Sequence, residues 1–476
     1  MLSKKLYVTT AIAYANANPH IGHAFEYVLA DAHVRYTKQL QDVYFVTGMD
    51  EHGQKIEQKA LSEGVPVQTF VDTYAQSFKE LDNELGVSYD FFVRTSDKEK
   101  HYVGAQKLWS TLVARGDLEK RTYKALYCVG CEGFKTEKDL NEKGECPDHL
   151  KVPETVEEEN YFFKLSNYTK VIQEKIVSNE LEIVPSGRRN EILALLERGL
   201  EDVSFSRPKS KVSWGIPVPG DDTQVMYVWC DALSNYITAL GYGYDSFNDE
   251  LWSNAVHVIG KDILRFHAAI WPGMLLSAGL ALPKKILVHG HITSGGQKMS
   301  KTLGNVINPR DVIDMFLPVA GDLAGEVARF ILLHEIPSFE DGDMTIDSIK
   351  ISYTAYLANG IGNLTSRVMK MATSNGVTLT QPKMTVFAEG MVDMNANLKQ
   401  VMNRMRTLDE YIATNEPFKV IKVDEVKGKE MLLHCLEELD LLARELFPYM
   451  PETSKRIGKC ISENKMPEKP LFGRLA

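Results

Sequence analysis

No apolar run in this 476-residue chain approaches the length of about 20 residues that a membrane-spanning helix needs. Its first residues, Met1-Leu2-Ser3-Lys4-Lys5, lack the apolar stretch of a signal peptide, so a cytoplasmic protein without membrane partners is expected. Cysteine is scarce: six residues, three of them clustered, make no disulfide framework in so long a chain and point to a reducing compartment. Basic charge is in deficit as well. A formal net charge of −10 excludes a general nucleic-acid coat, although a local basic face can still hold a specific RNA. There is no Walker-type Gly-x4-Gly-Lys-Ser/Thr, no internal repeat, no low-complexity tract and no long Gly/Ser linker. A nucleotide site in this chain has to be built another way.

What is present is enough apolar material for a large core, 44% of residues, and length for about three domains at roughly 150 residues each. The chain is organised around Asn18-Pro19-His20-Ile21-Gly22-His23-Ala24. Before it, Leu6-Tyr7-Val8-Thr9-Thr10 suits a buried strand; after it, Phe25, Val28, Leu29, Ala32, Tyr36 and Leu40 recur at helical spacing. The tetrad His20-Ile21-Gly22-His23 is therefore expected to open a helix just past the carboxyl end of a strand. There, unpaired backbone N–H groups and the helix dipole attract phosphate, Gly22 permits close approach, and two imidazoles can donate to an oxyanion. A helix-capping turn is the bland reading. Far downstream, Gly295-Gly296-Gln297-Lys298-Met299-Ser300-Lys301-Thr302 reads as a mobile loop, with Lys298 and Lys301 placed to neutralise a triphosphate's leaving charge.

Between these two elements strands alternate with helices, which predicts a doubly wound parallel sheet. Val43–Thr47 is a second strand leading to Asp50-Glu51-His52-Gly53, where Asp50 is a natural counter-charge for an amino group. Helices are expected over 68–85 and 98–115, with Phe91-Phe92-Val93 a short strand between them. Cys128-Val129-Gly130-Cys131 followed by Cys146-Pro147-Asp148-His149 gives C-x2-C…C-x2-H, four donors for one closed, structural tetrahedral zinc site in an inserted knuckle. The parallel sheet is expected to resume at Val225–Trp229, and Trp229, Leu233 and Tyr236 share a helical face beyond it. Val256–Ile259 is another strand, and the Gly260 and Asp262 that follow suit ribose hydroxyls. Ile286-Leu287-Val288 is the last strand before the lysine loop. Beyond Asp343 the pattern is a helical bundle, with Leu357, Ile361, Leu364 and Val368 forming an apolar stripe beside a polar one of Asn359, Asn363 and Arg367.

His20-Ile21-Gly22-His23 and Lys298-Met299-Ser300-Lys301-Thr302 together resemble the two signature elements of the class I aminoacyl-tRNA synthetases. With Tyr14 to His23, Asp50-Glu51-His52-Gly53, Asn160-Tyr161-Phe162-Phe163, Trp214 to Pro219, Tyr227 to Leu233 and Ile259 to Ile263, the chain resembles in particular the methionyl-tRNA synthetase family. That resemblance implies ligation of L-methionine to tRNA(Met) through an adenylate, releasing AMP and pyrophosphate. It assigns ATP to His20, Gly22, His23, Gly260, Asp262, Lys298 and Lys301, with His20, His23, Lys298 and Lys301 catalytic, and Mg²⁺ accompanying ATP. It implies a methionine pocket of Ile12, Tyr14, Asp50, Trp229, Leu233, Tyr236, Ile263 and His267. Asn363, Arg367 and Phe418 would read the anticodon, Phe418 standing where the family usually has Trp. Cys128, Cys131, Cys146 and His149 would hold zinc.

The expected organisation is a Rossmann-like catalytic domain in two halves, residues 1–116 and 220–290, split by a zinc-bearing insertion over 117–219. A lysine-loop and linking segment follows over 291–345, then a helical anticodon-binding domain over 346–476. With no further domain in view, a monomer is expected. A class I synthetase for a smaller amino acid such as cysteine would not need Trp229 and Tyr236. A nucleotidylyltransferase would not need the helical tail, and a non-catalytic RNA-binding relative would not keep both phosphate elements intact.

Overall fold

In the computed structural model, residues 5–130, 133–135, 140–147, 150–299, 305–380 and 393–475 are described. The chain begins with β1 (Leu6–Thr10), β2 (Ala13–Tyr14), α1 (Ile21–Thr37), β3 (Val43–Asp50), α2 (Gln54–Ser62), α3 (Val67–Glu84), β4 (Phe91–Arg94) and α4 (His101–Ala114). It continues with β5 (Glu182–Val184), α5 (Val228–Leu233), α6 (Asn235–Thr238), β6 (Ala255–Gly260) and β7 (Lys285–His289). Its helical part contains α7 (Ala324–Glu335), α8 (Asn363–Ser374), α9 (Met394–Asn415), α10 (Glu425–Leu446) and α11 (Pro451–Glu463). Two compact units result. One holds Met1–Asn18, Tyr44–Lys79 and Tyr89–Val288; the other holds Pro19–Val43, Glu80–Ser88 and His289–Ala476.

The first unit is built on a sheet in the order β2-β3-β1-β6-β7-β5, with β4 also pairing β3. β1 runs parallel to β6, β3 to β2 and β4, and β7 to β5. Buried strands of this kind read as continuous apolar runs, and Ala255–Gly260 is buried at every position. Because the chain leaves β1 toward β3 and later returns to β6 on its other side, the strand order reverses at β1. Ligands of such sheets bind at the carboxyl ends beside that reversal.

Two expectations for this unit are corrected. Asp221–Met226 does not rejoin the parallel sheet: it pairs antiparallel with Ser206–Pro208 and Pro217–Val218, and the chain turns helical at Val228. An apolar run such as Val225–Trp229 is compatible with any buried element, and periodicity cannot choose among them. Conversely, Glu182–Val184, from the segment read as an insertion, supplies the edge strand β5 against β7. The rest of that segment carries a separate antiparallel sheet in which Leu118–Cys128 pairs with Glu154–Phe163 along most of its length.

In the second unit the apolar stripe is buried as expected, Leu357, Ile361, Leu364 and Val368 all at 1% exposure or less, while Asn359 and Asn363 are exposed. The backbone over Tyr353–Gly362 is wound as a π-helix, with Gly360 out of helical geometry, before α8 resumes the regular winding. Separate segments of this unit are tied together by Arg329 of α7, which is fully buried. It pairs with Asp31 of α1 at 2.7 Å and donates to the carbonyls of Leu85, Pro448 and Tyr449.

Candidate active site

The first unit gathers side chains at the carboxyl ends of its strands. β2 sets Tyr14 opposite Asp50, the last residue of β3, and the Ala15 N–H donates to the Asp50 carbonyl at 2.9 Å. Asp50 is buried, while Ile12 and Tyr14 are half-buried. At the end of β6, Gly260 is buried and Asp262 is exposed on a single turn of 3-10 helix over Lys261–Ile263.

A wall of aromatic and aliphatic groups stands in the same unit. Trp229 of α5 stacks on Phe266 with ring centroids 3.6 Å apart and planes 13° off parallel. Leu233 and Tyr236 are buried at 2% and 1% exposure, and Trp229 and Ile263 pack against the apolar core they belong to. His267 Nδ1 donates to the Ile263 carbonyl at 2.9 Å, which leaves Nε2 to accept the Tyr236 hydroxyl at 2.7 Å. Burial pushes the His267 imidazole down to about 4, so it is neutral at physiological pH and this tautomer persists. The structure thus brings Trp229, Leu233, Tyr236, Ile263 and His267 together.

In the second unit, His20 caps α1. Its Nδ1 accepts from the backbone N–H of Gly22 and of His23, and His23 Nδ1 accepts in turn from the His20 N–H at 3.3 Å. The rings stack at 3.7 Å. A capping box made of two histidines reconciles the bland reading with the sharp one: with both Nδ1 atoms accepting, each ring carries its proton on Nε2 and is a donor. A Cβ at Gly22 would crowd the His20 ring at 3.0 and 3.1 Å, so a larger residue there would push the capping imidazole by a few tenths of an ångström. Further along α1, Glu26 pairs with His289 at 2.9 Å, and Phe25 meets the same imidazole edge-on. α1 is therefore anchored to the segment that leads into the lysine element.

The start of that element is a tight antiparallel hairpin, with Thr293 opposite Lys298 and Ser294 opposite Gln297, while residues 300–304 lie outside the described residues. Gly295 and Gly296 make its turn at φ of 63° and 72°, where a side chain would be strained. The Asp343 carboxylate accepts from the Gly296 N–H and the Thr293 hydroxyl, both at 2.8 Å, which anchors the turn at the start of the loop. Lys301 lies outside the described residues. In the helical part, Arg367 pairs with Asp409 of α9, Asn363 is exposed at the start of α8, and Phe418 is exposed on a short helix over Pro417–Val420. Cys128 and Cys146 are buried at 4% and 0% exposure, whereas Cys131 and His149 lie outside the described residues.

Sequence reasoning gave no role to the neighbours of Asp50, which form a dense buried network. Glu51 binds Arg94 at 2.6 Å and also Ser96, and burial raises its carboxyl although Arg94 and Ser96 oppose that. His52 and His101 both bind Asp231. Trp214 donates its indole N–H to the Glu51 carbonyl and accepts the Gly53 N–H. The signals were the motifs around Glu51, Trp214 and Asp231, each legible as a pattern but mute about its contacts.

The family model described as tRNA synthetases class I (M) matches residues 6–152 and 149–369. A methionine–tRNA ligase of Thermotoga maritima is 38% identical, the match spanning 98% of this chain and 76% of that protein. One of Brucella suis is 37% identical over 96% of this chain and 92% of its own. Among solved structures, the Mycobacterium tuberculosis methionyl-tRNA synthetase in complex with methionyl-adenylate is similar at a TM-score of 0.90 and 31% identity, over 99% of this chain and 100% of that one. With its sheet, its capped helix and its helical tail matched along nearly the whole length, the chain belongs to the family of tRNA synthetases class I (M).

Proposed function

We propose that the protein ligates L-methionine to tRNA(Met) using ATP, through a methionyl-adenylate and with release of pyrophosphate and then AMP. The observation that carries this is the likeness over 99% of the chain to a synthetase holding methionyl-adenylate. In the first step the methionine carboxylate, already ionised, attacks the α-phosphorus in line, so no general base is needed. The catalytic task is positioning and charge neutralisation. His20 and His23 would donate from Nε2 to phosphate oxygens at the start of α1, and Lys298 and Lys301 would neutralise the departing pyrophosphate. Mg²⁺ arrives with the nucleotide. Gly260 and Asp262 would take the ribose.

Methionine would lie with its ammonium on Asp50 and its side chain among Ile12, Tyr14, Trp229, Leu233, Tyr236, Ile263 and His267. Aromatic and aliphatic walls suit a polarisable thioether, and the neutral His267 keeps a cation out of an apolar pocket. The tRNA's terminal hydroxyl then attacks the mixed anhydride. Asn363, Arg367 and Phe418 would read anticodon bases by edge hydrogen bonds and stacking, which suits an unpaired loop.

Zinc would be held by Cys128, Cys131, Cys146 and His149 as a cross-link within the segment we assign as an insertion over 117–219. Two buried thiols at strand and turn ends fit such a site; among the described residues no three metal-ligating groups cluster, since the other two donors lie outside them. Metal analysis of the purified protein tests this, with one zinc per chain expected and its loss in Cys146→Ala. Among the described residues no helix is long and apolar enough to cross a membrane.

The deciding assay is amino-acid-dependent ATP–pyrophosphate exchange followed by charging of tRNA(Met). Exchange with methionine and not cysteine is expected. Exchange with cysteine alone overturns the substrate, and full exchange by Lys301→Ala overturns the role given to the lysine loop.

A further inference from the structure

Asp231 is buried at 0% exposure and is bound on both oxygens by imidazoles: His52 Nδ1 at 2.5 Å and His101 Nε2 at 2.7 Å. Each imidazole is held from behind as well. The Tyr102 hydroxyl lies 3.0 Å from His52 Nε2, and Thr238 Oγ1 lies 2.9 Å from His101 Nδ1. All of these groups belong to the first unit.

What they join is specific. His52 sits on the turn that begins at Asp50, Asp231 lies in α5 between Trp229 and Leu233, and Thr238 lies in α6 with Tyr236. One carboxylate therefore links the three segments that carry the ammonium-binding acid and the aromatic wall. Packing alone gives no reason for it, because an apolar side chain of similar volume commonly stabilises a core at least as well as buried ionic groups do. What a carboxylate adds is direction: two N–H···O bonds fix the orientation of two rings and the spacing of the segments behind them. Trp214 clamps the same turn from its other side through the Glu51 carbonyl.

We propose that Asp231 is a positioning residue for amino-acid recognition, setting the distance between Asp50 and the Trp229–Leu233–Tyr236 wall so that an unbranched side chain of methionine's length spans it while its ammonium stays paired. This rests on the assignment of those residues to methionine.

The test is pyrophosphate exchange with methionine and ATP varied separately, in wild type, Asp50→Asn, Asp231→Asn and the double variant. Asp231→Asn keeps the shape but turns one acceptor into a donor facing an imidazole N–H. The methionine KM is expected to rise at least tenfold with the ATP KM within twofold of wild type. Because Asp231 acts through the Asp50 turn, adding Asp231→Asn to Asp50→Asn should raise the methionine KM less than threefold further. A parallel rise in both KM values, or effects that multiply in the double variant, overturns the proposal. Asp50→Asn with an unchanged methionine KM overturns the assignment of Asp50 and this inference with it, whereas impairment by Asp50→Asn but not by Asp231→Asn overturns this inference alone. Should Asp231→Asn not fold, His101→Gln, which keeps a donor near the Nε2 position, is expected to hold the methionine KM that His101→Ala raises; equal effects of the two overturn the proposal.

Discussion

The cap of α1 and the wall of the first unit are built by opposite means. His20 and His23 find their partners two and three positions away, in bonds to backbone at an exposed helix start. The wall closes over long sequence separations: Tyr7 to the Tyr236 carbonyl across 229 positions, His52 to Asp231 across 179, His101 to Asp231 across 130. A local device is complete as soon as one helix turn forms, and it can be read from a tetrad. A long-range device exists only when the sheet has closed, so its members look like unrelated core residues until then.

Arg329 breaks any simple match between unit and style, because it belongs to the unit with the exposed cap yet is buried and bonded across more than a hundred positions. Arg329→Met should therefore give the largest effect on stability of any change considered, since it takes the buried donor from the carbonyls of Leu85, Pro448 and Tyr449 and removes one of the two cations paired with Asp31, leaving it Arg35 and the Ser88 N–H. A loss of about 3–5 kcal/mol is expected, read as a large drop in the urea midpoint. His20→Ala tests the other style. Losing an N-cap should cost only about 1 kcal/mol of stability, while losing an oxyanion donor should slow pyrophosphate exchange by roughly 10²–10³-fold. An enzyme equally damaged in folding and in exchange would remove the distinction between a structural cap and a phosphate donor.

Tyr236→Phe probes the wall more gently. It deletes the O–H that satisfies His267 Nε2, leaving a buried acceptor bare at a cost of about 1–3 kcal/mol. A methionine KM raised about tenfold with a near-normal ATP KM is the expected outcome. An unchanged methionine KM would place the Tyr236–His267 pair in the core and outside the pocket.

How much could be read in advance follows the same division. The strands Leu6–Thr10 and Val256–Ile259, the helix start at His20 and the buried stripe through Leu364 came from runs and periods that any neighbourhood would impose. The edge strand Glu182–Val184 did not, because three residues carry no period and its partner lies across the unit at Lys285–Leu287. Val225–Trp229 was misplaced because burial, which the run does encode, says nothing about which sheet provides it. At the site, Asp50 and Tyr236 were legible as residue types at strand ends and on a helix face, while Asp231 was not. An acid inside an apolar helix gives no sign of its partners until His52 and His101 are folded against it.

Asp82 sharpens the comparison from the side of charge. Like Asp231 it is buried, at 1% exposure, but neither of its oxygens has a hydrogen-bond partner among the described residues, and Asp31 adds a like charge nearby. The two acids are displaced in opposite directions. Burial raises both, yet the imidazoles more than reverse it for Asp231 and hold that carboxyl below its ordinary value, whereas burial and then Asp31 push Asp82 from 3.8 to about 8. The folded chain thus keeps a proton on Asp82 that the unfolded chain gives up above about pH 4, so stability falls as pH climbs from about 4 to about 8. Asp82→Asn, neutral throughout, should remove that part of the slope, raising Tm by a few degrees at pH 8 and by nothing near pH 4. A gain that is the same at both pH values would mean that the carboxyl is already ionised in the fold, and that an unpartnered buried acid in this chain costs no more than one held by two histidines.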